Sequence, residues 1–88
     1  MKSQTIEIEN KLGIHARPAS MIVQKAMEFE AELFLQHNET RVNGKSILSV
    51  MMLAAEKGTP ITIIAEGKDE NNAVEEIIKL FKMKFNED

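Results

Sequence analysis

The stretch Gly13-Ile14-His15-Ala16-Arg17-Pro18-Ala19 joins a segment that alternates to one that repeats at helical spacing, and its reading decides what the neighbouring segments must be. Upstream, Thr5 to Glu9 sets Ile6 and Ile8 on one face at period two, the pattern of a half-buried strand. Downstream, Ala19, Ile22, Val23, Ala26 and Phe29 recur at helical spacing from Ala16 to Phe29, opposite Gln24, Lys25 and Glu28. Pro18 suits an early helical position, where its fixed φ helps and its missing N–H costs little. The helix therefore starts at about Ala16, with His15 at or just before the cap.

A helix start leaves backbone N–H groups without partners and carries the positive end of the dipole, equivalent to roughly half a charge, so anions are favoured there. A histidine is largely neutral at pH 7 and keeps one ring nitrogen as a nucleophile. A phosphoryl group accepted on His15 would face the amides of Ala16 and Arg17, with the Arg17 guanidinium as a charged, forked partner. The small residues Ala16, Ala19 and Ser20 leave such a site open to a large partner. By spacing alone the same residues also suit ordinary helix punctuation, with a capping histidine and a solvated arginine.

Further along, Leu33 and Leu35 alternate in a second strand, and His37-Asn38-Glu39-Thr40 reads as a turn into a short third strand around Arg41 to Asn43. Ser46 precedes a run from Ile47 to Ala55 that is apolar on nearly every side, a short helix ending before Gly58. Pro60 to Ala65 gives a fourth strand with Ile61, Ile63 and Ala65 on one face. Asp69 suits the cap of a last helix, whose stripe Ala73, Val74, Ile77, Ile78, Phe81 and Phe85 faces a core. The order βαββαβα, with strands apolar on one face each, predicts an α+β fold: a four-stranded sheet covered on one face by three helices.

The segment Leu12-Gly13-Ile14-His15-Ala16-Arg17-Pro18-Ala19, with Asn43-Gly44-Lys45-Ser46-Ile47-Leu48 and Lys57-Gly58-Thr59, resembles the HPr family over nearly the whole chain. These are the histidine phosphocarriers of the bacterial phosphoenolpyruvate-dependent phosphotransferase system. The resemblance implies an open-faced sandwich whose antiparallel sheet has the order 1-4-2-3. It implies that Nδ1 of His15 takes a phosphoryl group from Enzyme I and passes it to enzyme IIA proteins of sugar transport, with Arg17 stabilising the phosphate and no cofactor required. Ile47, Leu48 and Met51 would then belong to a docking surface beside His15, together with Ser20, because one small domain cannot bury every face of so apolar a helix. Val50, Leu53 and Ala54 are read as core. In many relatives the serine matching Ser46 is phosphorylated by an HPr kinase/phosphorylase, a regulatory step tied to carbon catabolite control. As an N-cap, Ser46 is also fully explained by structure. Many family members carry glycine where this chain has Ser49, serine where it has Met52, and an apolar residue in place of Gly44.

Two other readings stay open. Glu9-Asn10-Lys11-Leu12-Gly13, Met52-Leu53-Ala54-Ala55 and the tail from Leu80-Phe81 to Phe85-Asn86-Glu87-Asp88 look like NPr, the nitrogen-branch carrier, which would change the docking partners and leave the His15 chemistry intact. A purely regulatory HPr-like protein, acting through Ser46 without carrying phosphate, is the second.

Composition bounds these readings. The chain has 88 residues, 43% hydrophobic and 28% charged, which predicts one domain over residues 1–88 and no disorder. Fourteen acidic against 11 basic residues give a net charge of −3, so no nucleic-acid footprint is expected and the partners should be proteins. With no cysteine, disulfides and thiolate metal sites are excluded, and His15 with His37 alone makes a poor metal site, so no metal is expected. The amino-terminal residues alternate where a signal peptide would be continuously apolar, and Val50 to Ala55 is far too short to span a bilayer. A cytoplasmic protein without membrane insertion, not an independent enzyme and working as a monomer through transient encounters, is the expectation.

Overall fold

Ile61, Ile63 and Ala65 alternate along the chain and all three are fully buried, and the strand that carries them is the one around which the sheet is built. In the computed structural model, which describes residues 1–87, the order is β1 (Lys2–Glu7), α1 (Ala16–Ala26), β2 (Glu32–His37), β3 (Thr40–Asn43), α2 (Ile47–Met51), β4 (Pro60–Glu66) and α3 (Glu70–Lys82), followed by a short 3-10 turn at Lys84–Asn86. The sheet has the order β1-β4-β2-β3 and every pairing is antiparallel. In its register Ile6 lies opposite Ile61, Leu35 opposite Ile63 and Leu33 opposite Ala65, which lines the inward side chains into one apolar face.

Against that face α1 sets Ala19, Ile22 and Ala26, and α3 sets Ala73, Val74, Ile77 and Phe81, in one continuous core. The other face stays open: the Arg41 guanidinium lies 5.5 Å from the centre of the Phe34 ring, and Thr5 and Thr62 share a hydroxyl hydrogen bond of 2.8 Å. This is the α+β open-faced sandwich that the periodicities and the family resemblance led to, including the 1-4-2-3 strand order.

The helices end sooner than their apolar spacing suggests. Helix α1 stops at Ala26, and Glu28 and Phe29 donate to carbonyls three residues back, so the periodicity continues while the bonding tightens to a turn. Helix α2 closes at Met51, because Leu53 and Ala54 also bond three residues back and Ala54 takes φ +48°. Phe85 reaches the core by a route other than a continued α3: Lys84, Phe85 and Asn86 all lie in the left-handed region, at φ 54°, 53° and 60°. Burial of Phe85 against Phe81, with ring centres 5.0 Å apart and edge-to-face, compensates that conformation. Asp69 stands at the cap position of α3 without capping it; its carboxylate instead accepts from Glu30 N–H at 2.9 Å and Ala31 N–H at 2.8 Å, tying the α1–β2 loop to the start of α3.

Candidate functional site

His15 is the N-cap of α1. Its backbone is extended, with φ −113° and ψ −164°, and its carbonyl accepts the Ala19 N–H at 3.0 Å. The imidazole makes no capping hydrogen bond to the first turn. Pro18 has no N–H to offer, and among the described residues no acceptor is bonded to the N–H of Ala16 or Arg17. The helix start thus keeps two free donors and its positive dipole end beside the ring.

The turn that delivers His15 is held from two sides. Gly13 N–H donates to Asn10 O at 3.2 Å, and the Asn10 side chain, wholly buried, donates from Nδ2 to Gly13 O at 2.7 Å. Gly13 sits at φ +69° with its Cα against the Ala55 carbonyl, where a Cβ would collide, and Ile14 N–H donates to that same carbonyl at 2.9 Å. The loop after α2 is therefore strapped to the His15 turn.

Glu87 completes the site. Its Oε2 lies 2.6 Å from His15 Nε2 and 4.0 Å from Arg17 Nη1, while its Oε1 accepts from Asn10 Nδ2 at 3.0 Å. A carboxylate only accepts, so Nε2 carries the ring proton and donates it. The Glu87 side chain is 11% exposed against 57% for Arg17, so the acid is largely enclosed while the guanidinium faces solvent. Beside them opens a shallow concavity of about 490 Å³ lined by Lys11, Leu12, Arg17, Asn86 and Glu87. Asn10 and Glu87 were not singled out from the sequence. The Asn-x-x-Gly spacing of the turn was a signal for the first; nothing local marks the second, because Glu87 reaches His15 only through the left-handed turn around Phe85.

The remaining expected residues fall beside this centre or away from it. Leu48 is exposed at 74%, with Ile47 and Met51 also open, and Leu12 and Met52, neither placed on a docking surface from the sequence, are exposed apolar residues as well. Val50 is buried and Leu53 half-buried as core residues; Ala54 is exposed, a departure explained by its left-handed turn. Ser20 is half-buried on α1 and its hydroxyl accepts from Gln24 Nε2 at 3.3 Å. Ser46 caps α2, accepting the Ser49 N–H at 3.3 Å. His37 ends β2, with Nδ1 3.1 Å from the Pro60 carbonyl. Asp88, the last residue of the tail that looks like NPr, lies outside the described residues. No described helix is long and apolar enough to cross a membrane.

Comparison with known proteins places this geometry. Residues 2–83 match the family model described as the phosphorylation site of the HPr component of the phosphotransferase system. The phosphocarrier protein HPr of Neisseria meningitidis is 46% identical over 87 residues, covering 99% of this chain and 98% of its own. The HPr-like protein Crh of Bacillus subtilis, a catabolite repression HPr, is 43% identical over 77 residues, covering 88% of this chain and 91% of its own. A crystal structure of HPr from Thermoanaerobacter tengcongensis superposes with a TM-score of 0.95 at 41% identity, covering 100% of this chain and 99% of that one. A dimer of HPr from the same organism superposes at 0.77, with 41% identity over 97% of this chain and 98% of that one. With its full length matched and its fold shared, the chain belongs to the HPr family of phosphocarriers of the phosphotransferase system.

Proposed function

We propose that this protein carries a phosphoryl group on His15, taking it from phospho-Enzyme I and giving it to enzyme IIA proteins. The observation that carries the reading is the ring itself: a histidine at the start of α1 with one nitrogen proton-bearing toward Glu87, beside free amides and an exposed arginine, in a chain of the HPr family. Among the described residues Nδ1 has no hydrogen-bond partner, which leaves its lone pair available. The Ala16 and Arg17 amides and the Arg17 guanidinium are the groups that meet the phosphoryl oxygens. A site this open cannot shut out water; it orients the group for transfer between partners and needs neither a cofactor nor a deep pocket.

Docking falls on the exposed apolar residues Leu12, Ile47, Leu48, Met51 and Met52, with Ser20 at their side. Methionine suits a surface that accepts several unlike partners. The likeness to Crh favours a second role, regulation through phosphorylation of Ser46 by an HPr kinase/phosphorylase, where the added charge would sit at a helix start and next to Ile47 and Leu48. Sugar branch and nitrogen branch share the His15 step and differ in what docks.

Intact mass after incubation with Enzyme I and phosphoenolpyruvate tests the carrier role. One acid-labile phosphoryl group, absent from a His15→Ala variant, is the expected result; no adduct with any competent Enzyme I overturns it and leaves the Ser46 role.

A further inference from the structure

We infer that Glu87 is a positioning residue for phosphoryl transfer, holding the Nε2 proton of His15 and balancing the positive charge the ring acquires when Nδ1 takes the phosphoryl group. The inference rests on the carrier reading and adds to it a residue that lies 72 positions from His15 in sequence.

The geometry is that of an acid oriented for one purpose. At 2.6 Å the Nε2–Oε2 contact is short for an N–H···O hydrogen bond, as suits a carboxylate acceptor, and the carboxylate is 11% exposed, so water competes poorly for it. Its second oxygen is fixed by Asn10 Nδ2 at 3.0 Å, and the same amide nitrogen holds Gly13 O at 2.7 Å. The Asn10 amide cannot be turned over, because its oxygen would then face a carbonyl and a carboxylate. Phe85, fully buried two residues earlier, anchors the backbone that brings Glu87 in. One buried asparagine thus sets both the turn carrying the nucleophile and the acid that faces it.

The chemistry follows from this arrangement. The Nδ1 lone pair forms the new N–P bond while the P–N bond of the donor phosphohistidine breaks and its electron pair returns to the donor ring. Positive charge moves from the donor imidazole to the ring of His15, and no proton has to leave, because Nε2 keeps its hydrogen on Glu87 Oε2. An anion 2.6 Å from Nε2 stabilises that charge where it develops. In the outgoing step the acceptor histidine's nitrogen forms the new N–P bond while the electron pair of the breaking bond returns to His15 Nδ1, and the ring that leaves bears its proton on Nε2, against Glu87 Oε2. The role parallels the acid that orients the histidine of a hydrolase triad.

Glu87→Gln in the full chain keeps the length of the side chain and removes the charge; Glu87→Ala removes the acceptor as well. Single-turnover transfer from phospho-Enzyme I is followed at varied donor concentration, together with nitrogen-15 NMR of the His15 ring and the melting temperature. The expected result is a maximal rate lowered about tenfold in both variants with the half-saturating donor concentration unchanged, the loss of one charge-assisted bond in the reacting state. In the parent the ring proton should sit on Nε2 and resonate downfield, and in Glu87→Gln that shift should collapse while the melting temperature holds. A variant that transfers as fast as a competent parent, or faster, overturns the proposal, as does a parent ring whose proton is on Nδ1. A parent that forms no adduct at all is the separate signature of a failed carrier reading.

Discussion

At the scale of single residues, Gly13 and Asp69 show how little tolerance the site's surroundings have. Gly13→Ala forces a Cβ into the Ala55 carbonyl at a φ of +69°, so we expect a loss of about 1–3 kcal/mol in denaturant unfolding and, in the folded fraction, a displaced His15. The glycine was legible as part of a loop; its contact with a carbonyl 42 residues away was not, because no local pattern records a tertiary approach. Asp69 illustrates the converse. The N–H of Glu30, followed by that of Ala31, holds its carboxyl below the usual carboxylate range, although burial opposes the shift. A group whose folded value is depressed contributes stability that is complete above its unfolded value, about 3.9, and is lost as pH falls through the folded value. Asp69→Asn should therefore lower the denaturant midpoint at neutral pH, and the gap to the parent should close below about pH 4. An equal gap at every pH would mean that packing, not charge, is what the aspartate supplies.

At the scale of elements, the apolar periods located all three helices and overran their ends. The reason is common to α1 and α2: after Ala26 and after Met51 the side chains continue at helical spacing while the backbone bonds shorten to three residues, so periodicity persists beyond the helix proper. In α3 the overrun concealed a contact, since Phe85 completes the apolar stripe whether it arrives by helix or by left-handed turn, and the turn brings Glu87 to His15. Phe85→Ala should cost roughly 3–5 kcal/mol by emptying its core position. Because it anchors the tail, the folded variant should also lose the downfield Nε2 proton signal, an effect a simple cavity elsewhere in the core would not produce.

At the scale of the whole molecule, Leu12, Ile47, Leu48, Met51 and Met52 leave apolar side chains in solvent that α1, α3 and the sheet have no room to bury. Leu48→Asp should leave the melting temperature within about a degree of the parent, as exposed substitutions generally do, and raise the half-saturating concentration of Enzyme I about tenfold without changing the maximal rate. A lowered maximal rate would place Leu48 in the chemistry instead. The dimer reported for the Thermoanaerobacter tengcongensis relative makes light scattering a useful companion, with the monomer mass expected. The class and order of elements were legible in the sequence because strand and helix periods alternate cleanly. The strand order came through family resemblance, since Ile6, Leu35 and Ile63 each announce an inward face and none announces its neighbour.

That strand order has a kinetic side. Because β4 stands between β1 and β2, residues 2–7 wait for residues 60–66, and only the β2–β3 hairpin can pair early. Pairings so distant in sequence close slowly, so the rate-limiting nucleus should contain β4, and a chain emerging from the ribosome should hold no sheet beyond that hairpin until the strand is released. The His15 turn, strapped to Ala55 and flanked by the Gly58 N–H bonded to Ile8 O, is consequently a late-forming part of the molecule, competent only once the last strand has docked.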